Sequence, residues 1–225
     1  SAASDVYKRQ VHDLIHGDVT FDLTQFDDFV IVKTNGMPTY NFAVVVDDHL
    51  MRISHVLRAE EHLSNTPKQV LLYEACGFAV PKFGHMPMIL APDRSKLSKR
   101  HGATSVEEFR EQGYLPEAIV NYLTLLGWAP GNEEEIFSLQ DTVAQFELEK
   151  MSKKAAVYDT KKLTWMNGQY LSALPLEAVL PEAKIFFIKS GLVDEAWLEA
   201  NKDYFSRLVD VVRVRAVSYT HLRAH

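Results

Sequence analysis

Thr66-Pro-Lys-Gln-Val-Leu-Leu-Tyr-Glu-Ala-Cys76 is the stretch on which the fold turns. It carries the punctuation of a helix. Thr66 is placed to N-cap, Pro67 suits the first helical position, Gln69 falls where a capping box needs it, and Gly77 can close the end. Strand-like runs lie on either side. Tyr40 to Val46 is apolar and stops at Asp47-Asp48-His49, and His85 to Leu90 reads as a buried strand. Strand, helix, strand in that order predicts a parallel α/β unit. Further upstream, Phe29-Val-Ile-Val-Lys33 followed by Asn35-Gly36 predicts a hairpin.

Working outward toward the carboxyl end, the rhythm changes near residue 101 from α/β to helical. Ser105 and Glu108 form a capping-box pair, and Gly113 can stop that helix. Pro116 starts another, with Ile119, Val120, Leu123 and Leu126 on one face and Gly127 at its end. Ser138 and Asp141 open a third, with Val143 and Phe146 expected to point inward. Leu176 to Val212 continues in the same style. The fold class expected is therefore α/β followed by all-α.

The two ends differ in composition and rhythm from what they enclose. "SDVYKRQ" within residues 1–10 and "VSYTHLRAH" within residues 216–225 resemble translated sequencing-adapter read-through. Both are expected to be non-native tails and are left out of the fold expectation.

With 47% hydrophobic and 24% charged residues over a length of 225, the chain has the composition of a soluble globular protein of one or two domains. No apolar run approaches the roughly 20 residues of a membrane span, and no secretory signal is visible. Cys76 is the single cysteine, which excludes an intramolecular disulfide and fits a reducing, cytoplasmic location. The net charge of −6 argues against holding nucleic acid by bulk charge, but local basic patches can still dock phosphates.

Lys96-Leu97-Ser98-Lys99-Arg100 gathers three cations and a hydroxyl on a loop after an expected strand. Mutual repulsion makes this a poor way to stabilise a fold and a good way to receive phosphates. A solvated surface loop is the plainer reading, and its position after an α/β strand weighs toward a ligand loop. Arg58 reads either as a surface arginine paired with Glu61 or as a ligand group. Tyr40 reads as half-buried core with its hydroxyl satisfied locally. Asp47, Asp48 and His49 lack a second cluster at metal-ligand spacing, so capping or backbone contacts are expected of them and no protein-bound metal. There is no nucleophilic triad, P-loop or dinucleotide fingerprint.

Lys96-Leu-Ser-Lys-Arg100 resembles the KMSKS loop of class I aminoacyl-tRNA synthetases. Its continuation, His101-Gly-Ala-Thr-Ser-Val, is similar to that of bacterial glutamyl-tRNA synthetases in particular. So are Pro38-Thr-Tyr-Asn-Phe-Ala-Val-Val-Val-Asp-Asp-His49, Val56-Leu-Arg-Ala-Glu-Glu61 and Lys162-Leu-Thr-Trp-Met-Asn-Gly-Gln-Tyr170. These stretches occur in the family's order across most of the chain. The resemblance implies that Tyr40 and Arg58 hold the glutamate substrate, with Arg58 facing its side-chain carboxylate. It places Glu61 at the ATP ribose and Met88 and Ile89 at adenine. Lys96, Ser98, Lys99 and Arg100 would receive the triphosphate, with Lys96 and Lys99 stabilising charge as pyrophosphate leaves. The partners implied are ATP with Mg2+, glutamate and tRNA(Glu), with neither DNA nor membrane, and the parent enzyme is expected to be a monomer.

On this resemblance, residues 11–30 match the tail of an acceptor-stem insertion and 31–100 the second half of a Rossmann-like catalytic domain. Residues 101–173 match a helical stem-contact region, and 174–215 the start of a helical anticodon-binding domain. The family's HIGH motif has no counterpart here, so this stretch is expected to be inactive by itself. Three other readings share some of these features. They are a glutamyl-queuosine tRNA synthetase-like paralogue, a non-catalytic RNA-binding module, and a nucleotidylyltransferase with a related loop. The Lys162 to Tyr170 match speaks against the paralogue.

Overall fold

The computed structural model describes residues 8–98, 105–131 and 133–222. The chain divides into two compact units: Ser1–Met88 with Glu147–Ala155, and Ile89–Phe146 with Ala156–His225.

In the first unit, β1 (Lys8–Asp13) and β2 (Gly17–Asp22) form an antiparallel hairpin. Its turn is closed by Asp13, whose Oδ1 accepts the backbone N–H of Ile15 and of His16, each at 2.9 Å. Then follow α1 (Tyr40–Leu50), β3 (His55–Ala59), a 3-10 turn (Glu60–Asn65), α2 (Thr66–Ala75) and β4 (Lys82–Met86). The sheet runs in the order β2-β1-β4-β3, with β4 parallel to both β1 and β3. A parallel unit is present as β3–α2–β4, with β3 where Tyr40 to Val46 was expected to supply the first strand. Val11, Val45, Val70, Leu72, Tyr73 and Phe83 form the core between sheet and helices. At Gly84 the sheet is approached closely: a Cβ there would lie 2.8 Å from Leu57 Cδ2.

Several expectations need correcting here. Tyr40 to Val46 is not a strand but most of α1, and Asp47, Asp48 and His49 continue that helix. A helix that buries Val45 completely against the sheet satisfies the same apolar residues, so tertiary burial overrides the β-branched composition. His85 to Leu90 is not one strand either. The ladder of β4 ends at Met86 and a separate short strand, β5 (Ile89–Leu90), follows Pro87-Met88. The Asn35-Gly36 turn exists, with Gly36 at φ +80°, but the hairpin is reduced to a single bridge between Val32 and Pro38. In α2 the boundaries and Gly77 are as read, while the capping box is absent. Thr66 is the first helical residue, and Gln69 donates instead to Asn41 Oδ1 at 3.0 Å. Residues 8–10, left out of the fold expectation, lie in β1.

The second unit pairs β5 with β6 (Ala156–Val157) and is otherwise helical. It contains α3 (Val106–Glu111), α4 (Pro116–Gly127), α5 (Leu139–Gln145), α6 (Thr160–Ala173), α7 (Leu176–Lys189), α8 (Glu195–Ala200), α9 (Lys202–Arg213) and α10 (Tyr219–Leu222). The Ser105–Glu108 and Ser138–Asp141 capping boxes both form. Val143 and Phe146, expected inside, are exposed at 71% and 46%. α5 is a single short helix that buries Thr142, and the apolar contact is made by Phe137 just ahead of it. On α4 the expected stripe is again not the buried one: Val120 and Leu123 are exposed, and Ala118, Asn121 and Tyr122 are buried.

Two packed clusters hold this unit together. Tyr122, Tyr158, Leu163 and Met166 form one, with Leu97 against it. Leu171, Val179, Ala183, Phe187, Phe205 and Val209 belong to the other. Residues 216–222, also left out of the fold expectation, join the second cluster through Ala216, Tyr219 and Leu222. Among the described residues no helix is long and apolar enough to cross a membrane.

Candidate ligand-binding site

Arg58 and His85 are register partners near the carboxyl ends of the parallel strands β3 and β4. Open α/β sheets bind ligands at that end. Arg58 is half-buried. Its Nε donates to His85 Nε2 at 3.1 Å, and its Nη2 donates to Thr66 Oγ1 at 3.0 Å and to the His62 carbonyl at 3.4 Å. The guanidinium also lies 5.5 Å from the centroid of the Phe83 ring. Burial lowers its affinity for the proton, while the hydroxyl of Tyr40, through charge and a hydrogen bond, and Asp48 at longer range work to raise it. An arginine keeps its charge under such conditions. Its hydrogen-bond partners among the described residues are all neutral groups.

Tyr40 opens α1, is 51% exposed, and sets its ring 6.0 Å from that of His62. The structure therefore brings Tyr40 and Arg58 together, although they come from a helix and a strand and not from two strands. Asp48 and Tyr73 form a polar pair whose charges act on Arg58. Asp48, from α1, accepts from the Tyr73 hydroxyl at 3.2 Å. Burial, reinforced by Asp48, raises the Tyr73 pKa and keeps it a donor. This is the role the structure gives Asp48, in place of capping. His49 stacks on Phe78 with ring centroids 3.7 Å apart. Among the described residues no group of three His, Cys, Asp or Glu side chains could hold a metal ion.

Sequence reasoning missed four residues here. Thr66, a helix cap by its sequence position, is a fully buried partner of Arg58. His85 and Asp13 are buried together, with His85 Nδ1 2.6 Å from Asp13 Oδ2. Glu60 accepts the Met88 backbone N–H at 3.1 Å, so this glutamate fixes the chain at Met88. Its neighbour Glu61 is exposed beside His62. A histidine inside an expected buried strand was the one visible signal, since an apolar slot must give such a side chain partners.

In the second unit, Lys96 bridges back to Leu90 after a turn in which Asp93 Oδ1 accepts from the Ser95 N–H and hydroxyl, at 2.9 and 2.6 Å. Leu97 N–H donates to the Ile89 carbonyl at 3.4 Å, and its side chain anchors the loop in the Tyr122 cluster. Lys96 and Ile89 are exposed there, and Ser98 is half-buried. Lys99 and Arg100 lie outside the described residues.

The sheet order defines an α/β unit, with an arginine near the carboxyl ends of its parallel strands. Comparison with known proteins narrows this. The family model for class I tRNA synthetases (E and Q), catalytic domain, matches residues 3–165, and the chain belongs to that family. It is 60% identical over 205 residues to a glutamate–tRNA ligase of Moorella thermoacetica, covering 91% of this chain and 42% of that protein. It is 58% identical over 208 residues to glutamate–tRNA ligase 1 of Caldanaerobacter subterraneus subsp. tengcongensis, covering 92% and 43%. A crystal structure of a glutamate tRNA ligase from Elizabethkingia meningosepticum, in complex with its amino acid, superposes with a TM-score of 0.84 at 35% identity. It covers 96% of this chain and 46% of that one. The chain thus spans less than half the length of the relatives it matches.

Proposed function

We propose that this chain is part of a glutamate–tRNA ligase and contributes the pocket for the glutamate side chain together with part of the ATP site. The observation that carries the reading is Arg58, half-buried and hydrogen-bonded to neutral groups. A ligand carboxylate would supply its counter-charge through two charge-assisted bonds, with Tyr40 beside it. Glutamine would present a neutral amide and leave the guanidinium poorly paired. A site built on such a polar contact rejects the analogue that lacks it.

In this reading the α-carboxylate of glutamate attacks the α-phosphorus of ATP, pyrophosphate leaves, and a 3′-terminal hydroxyl of tRNA(Glu) takes the glutamyl group from the adenylate with release of AMP. Glu61, Met88 and Ile89 hold the nucleoside. Lys96, Ser98, Lys99 and Arg100 face the triphosphate, with Lys96 and Lys99 offsetting the charge that grows on the leaving group. Mg2+ enters with the nucleotide. Residues 31–100 act as the second half of the Rossmann-like catalytic domain, and the helices beyond them as the stem-contact region and the start of an anticodon-binding domain. The parent enzyme works as a cytoplasmic monomer. This stretch contains no HIGH-like motif and does not activate glutamate unaided.

The test is ATP–pyrophosphate exchange with glutamate and tRNA, using the protein from the full reading frame that contains this sequence. Exchange that requires glutamate, and is lost in Arg58→Ala, supports the assignment. A folded full-length protein without exchange overturns it.

A further inference from the structure

Behind Arg58 lies a chain of buried groups that reaches from β4 to the end of β1. His85 and Asp13 are 0% and 1% exposed. The β1–β4 register sets Asp13 opposite Phe83, two residues before His85 on β4. Asp13 divides its two oxygens between two tasks. Oδ1 accepts the backbone N–H groups of Ile15 and His16 at 2.9 Å each and that of His85 at 3.3 Å. Oδ2 lies 2.6 Å from His85 Nδ1. On the other side of the ring, Nε2 meets Arg58 Nε at 3.1 Å and Thr66 Oγ1 at 3.1 Å.

These contacts allow one protonation state of the ring. An arginine Nε–H can only donate, so His85 Nε2 must accept, and the imidazole is neutral with its hydrogen on Nδ1. That hydrogen needs an acceptor, which is the Asp13 carboxylate. With the other tautomer, two N–H groups would face each other across 3.1 Å, and with the imidazolium the ring would press a cation against Arg58. Burial lowers the His85 pKa, with Arg58 and His16 acting in the same direction and Asp13 opposing them. The ring therefore stays neutral beside its carboxylate.

We propose that Asp13 and His85 are positioning residues for Arg58. The Asp13 carboxylate holds His85 as its Nδ1–H tautomer, so that Nε2 and the Thr66 hydroxyl together fix the plane of the guanidinium that receives the glutamate side chain. The substrate half of this statement rests on the glutamate reading above. Hydrogen-bonded partners behind a ligating group orient it, and a misplacement of about 1 Å at a reacting site can cost about 100-fold. The sheet supplies the orientation that a surface arginine, with four side-chain torsions to settle, would lack.

Two measurements test the proposal. Nitrogen-15 shifts of the His85 ring in the 225-residue chain, assigned by difference from His85→Gln, read the tautomer without any substrate. A neutral Nδ1–H ring is expected, turning to Nε2–H in Asp13→Asn. That variant keeps Oδ1 for the three backbone donors but offers an N–H to the ring. An Nε2–H or charged ring in the unaltered chain overturns the proposal.

The second measurement is steady-state kinetics of the full-length enzyme with glutamate and with glutamine. Asp13→Asn and His85→Asn should raise the KM for glutamate between about 10- and 100-fold and erode discrimination against glutamine, with kcat less changed. His85→Gln places an acceptor oxygen near the old Nε2 and should stay within about threefold of the parent. If His85→Asn and His85→Gln behave alike, or if Arg58→Ala impairs glutamate use while Asp13→Asn does not, the relay is overturned and the arginine anchor survives. If Arg58→Ala itself leaves glutamate use unchanged, the anchor falls, taking the substrate half of the proposal with it, and the ring shifts decide the relay.

Discussion

Arg58 donates to a histidine, a threonine and a backbone carbonyl, and none of them balances its charge. Taking a cation part of the way out of water is costly, Asp48 offsets this only at longer range, and a ligand carboxylate in direct contact would relieve more of it. The planar fork matters as much as the charge. Lysine in place of Arg58 would keep the cation but lose the Nε–H that meets His85 and the second Nη–H that meets Thr66. The Arg58→Lys enzyme should therefore lose most of its kcat/KM for glutamate, by about 100-fold or more, while its melting temperature changes little. Retained activity would mean that charge alone is read. Arg58 and Tyr40 were legible through resemblance and not through their chemistry, because an arginine in a short strand looks like any surface cation. Asp13, His85 and Thr66 were not legible as a set. Asp13 and His85 are 72 positions apart, and their only local hint was a histidine in an apolar run.

Among the elements, those punctuated by local chemistry were the readable ones. Both capping boxes form, at Ser105–Glu108 and Ser138–Asp141, because the side chain and the backbone it satisfies lie three residues apart. The α1 helix was misread because Val44, Val45 and Val46 favour strands, and what makes them helical is a sheet on one side. Val143 and Phe146 were misjudged for a related reason, since periodicity finds an apolar face but not the neighbour that covers it. Within the helical unit, α6 buries Leu163, Met166, Asn167 and Leu171. Asn167 is fully buried, accepting the Leu115 N–H at 2.8 Å and donating to the Val217 carbonyl at 2.7 Å. Replacing it by alanine orphans the buried Leu115 N–H, at about 1–3 kcal/mol, and removes the partner of the partly buried Val217 carbonyl. Asn167→Ala should lower the melting temperature of the chain by several degrees in a thermal scan, and an unchanged midpoint would show that water fills the gap.

Taken as a whole molecule, the chain buries a neutral histidine whose pKa is lowered from 6.5. The unfolded state then binds the extra proton first. The stability this group contributes is fully present above about pH 6.5 and is lost as the pH falls toward its folded pKa. Asp13 acts later in the same direction. Burial would raise its pKa, but hydrogen bonds from His16, His85 and Ile15 outweigh that and hold it below 3.8. The melting temperature should accordingly fall between pH 7.5 and pH 5. In His85→Gln, which cannot titrate, the fall should be shallower, and equal slopes would mean other groups carry it. The groups facing the ring are Asp13, Arg58, His16 and Thr66.

The seam between β1 and β4 also bears on the order in which the molecule assembles. The pairings within the β1–β2 hairpin and within β3–α2–β4 are short-range in sequence. Joining them closes a loop of 72 positions, which costs chain entropy before its contacts exist. On that ground the seam is expected to form late. On a growing chain made amino end first, Asp13 waits for its histidine until β4 has been synthesised, so the arginine's cradle is one of the last parts of this unit to be completed.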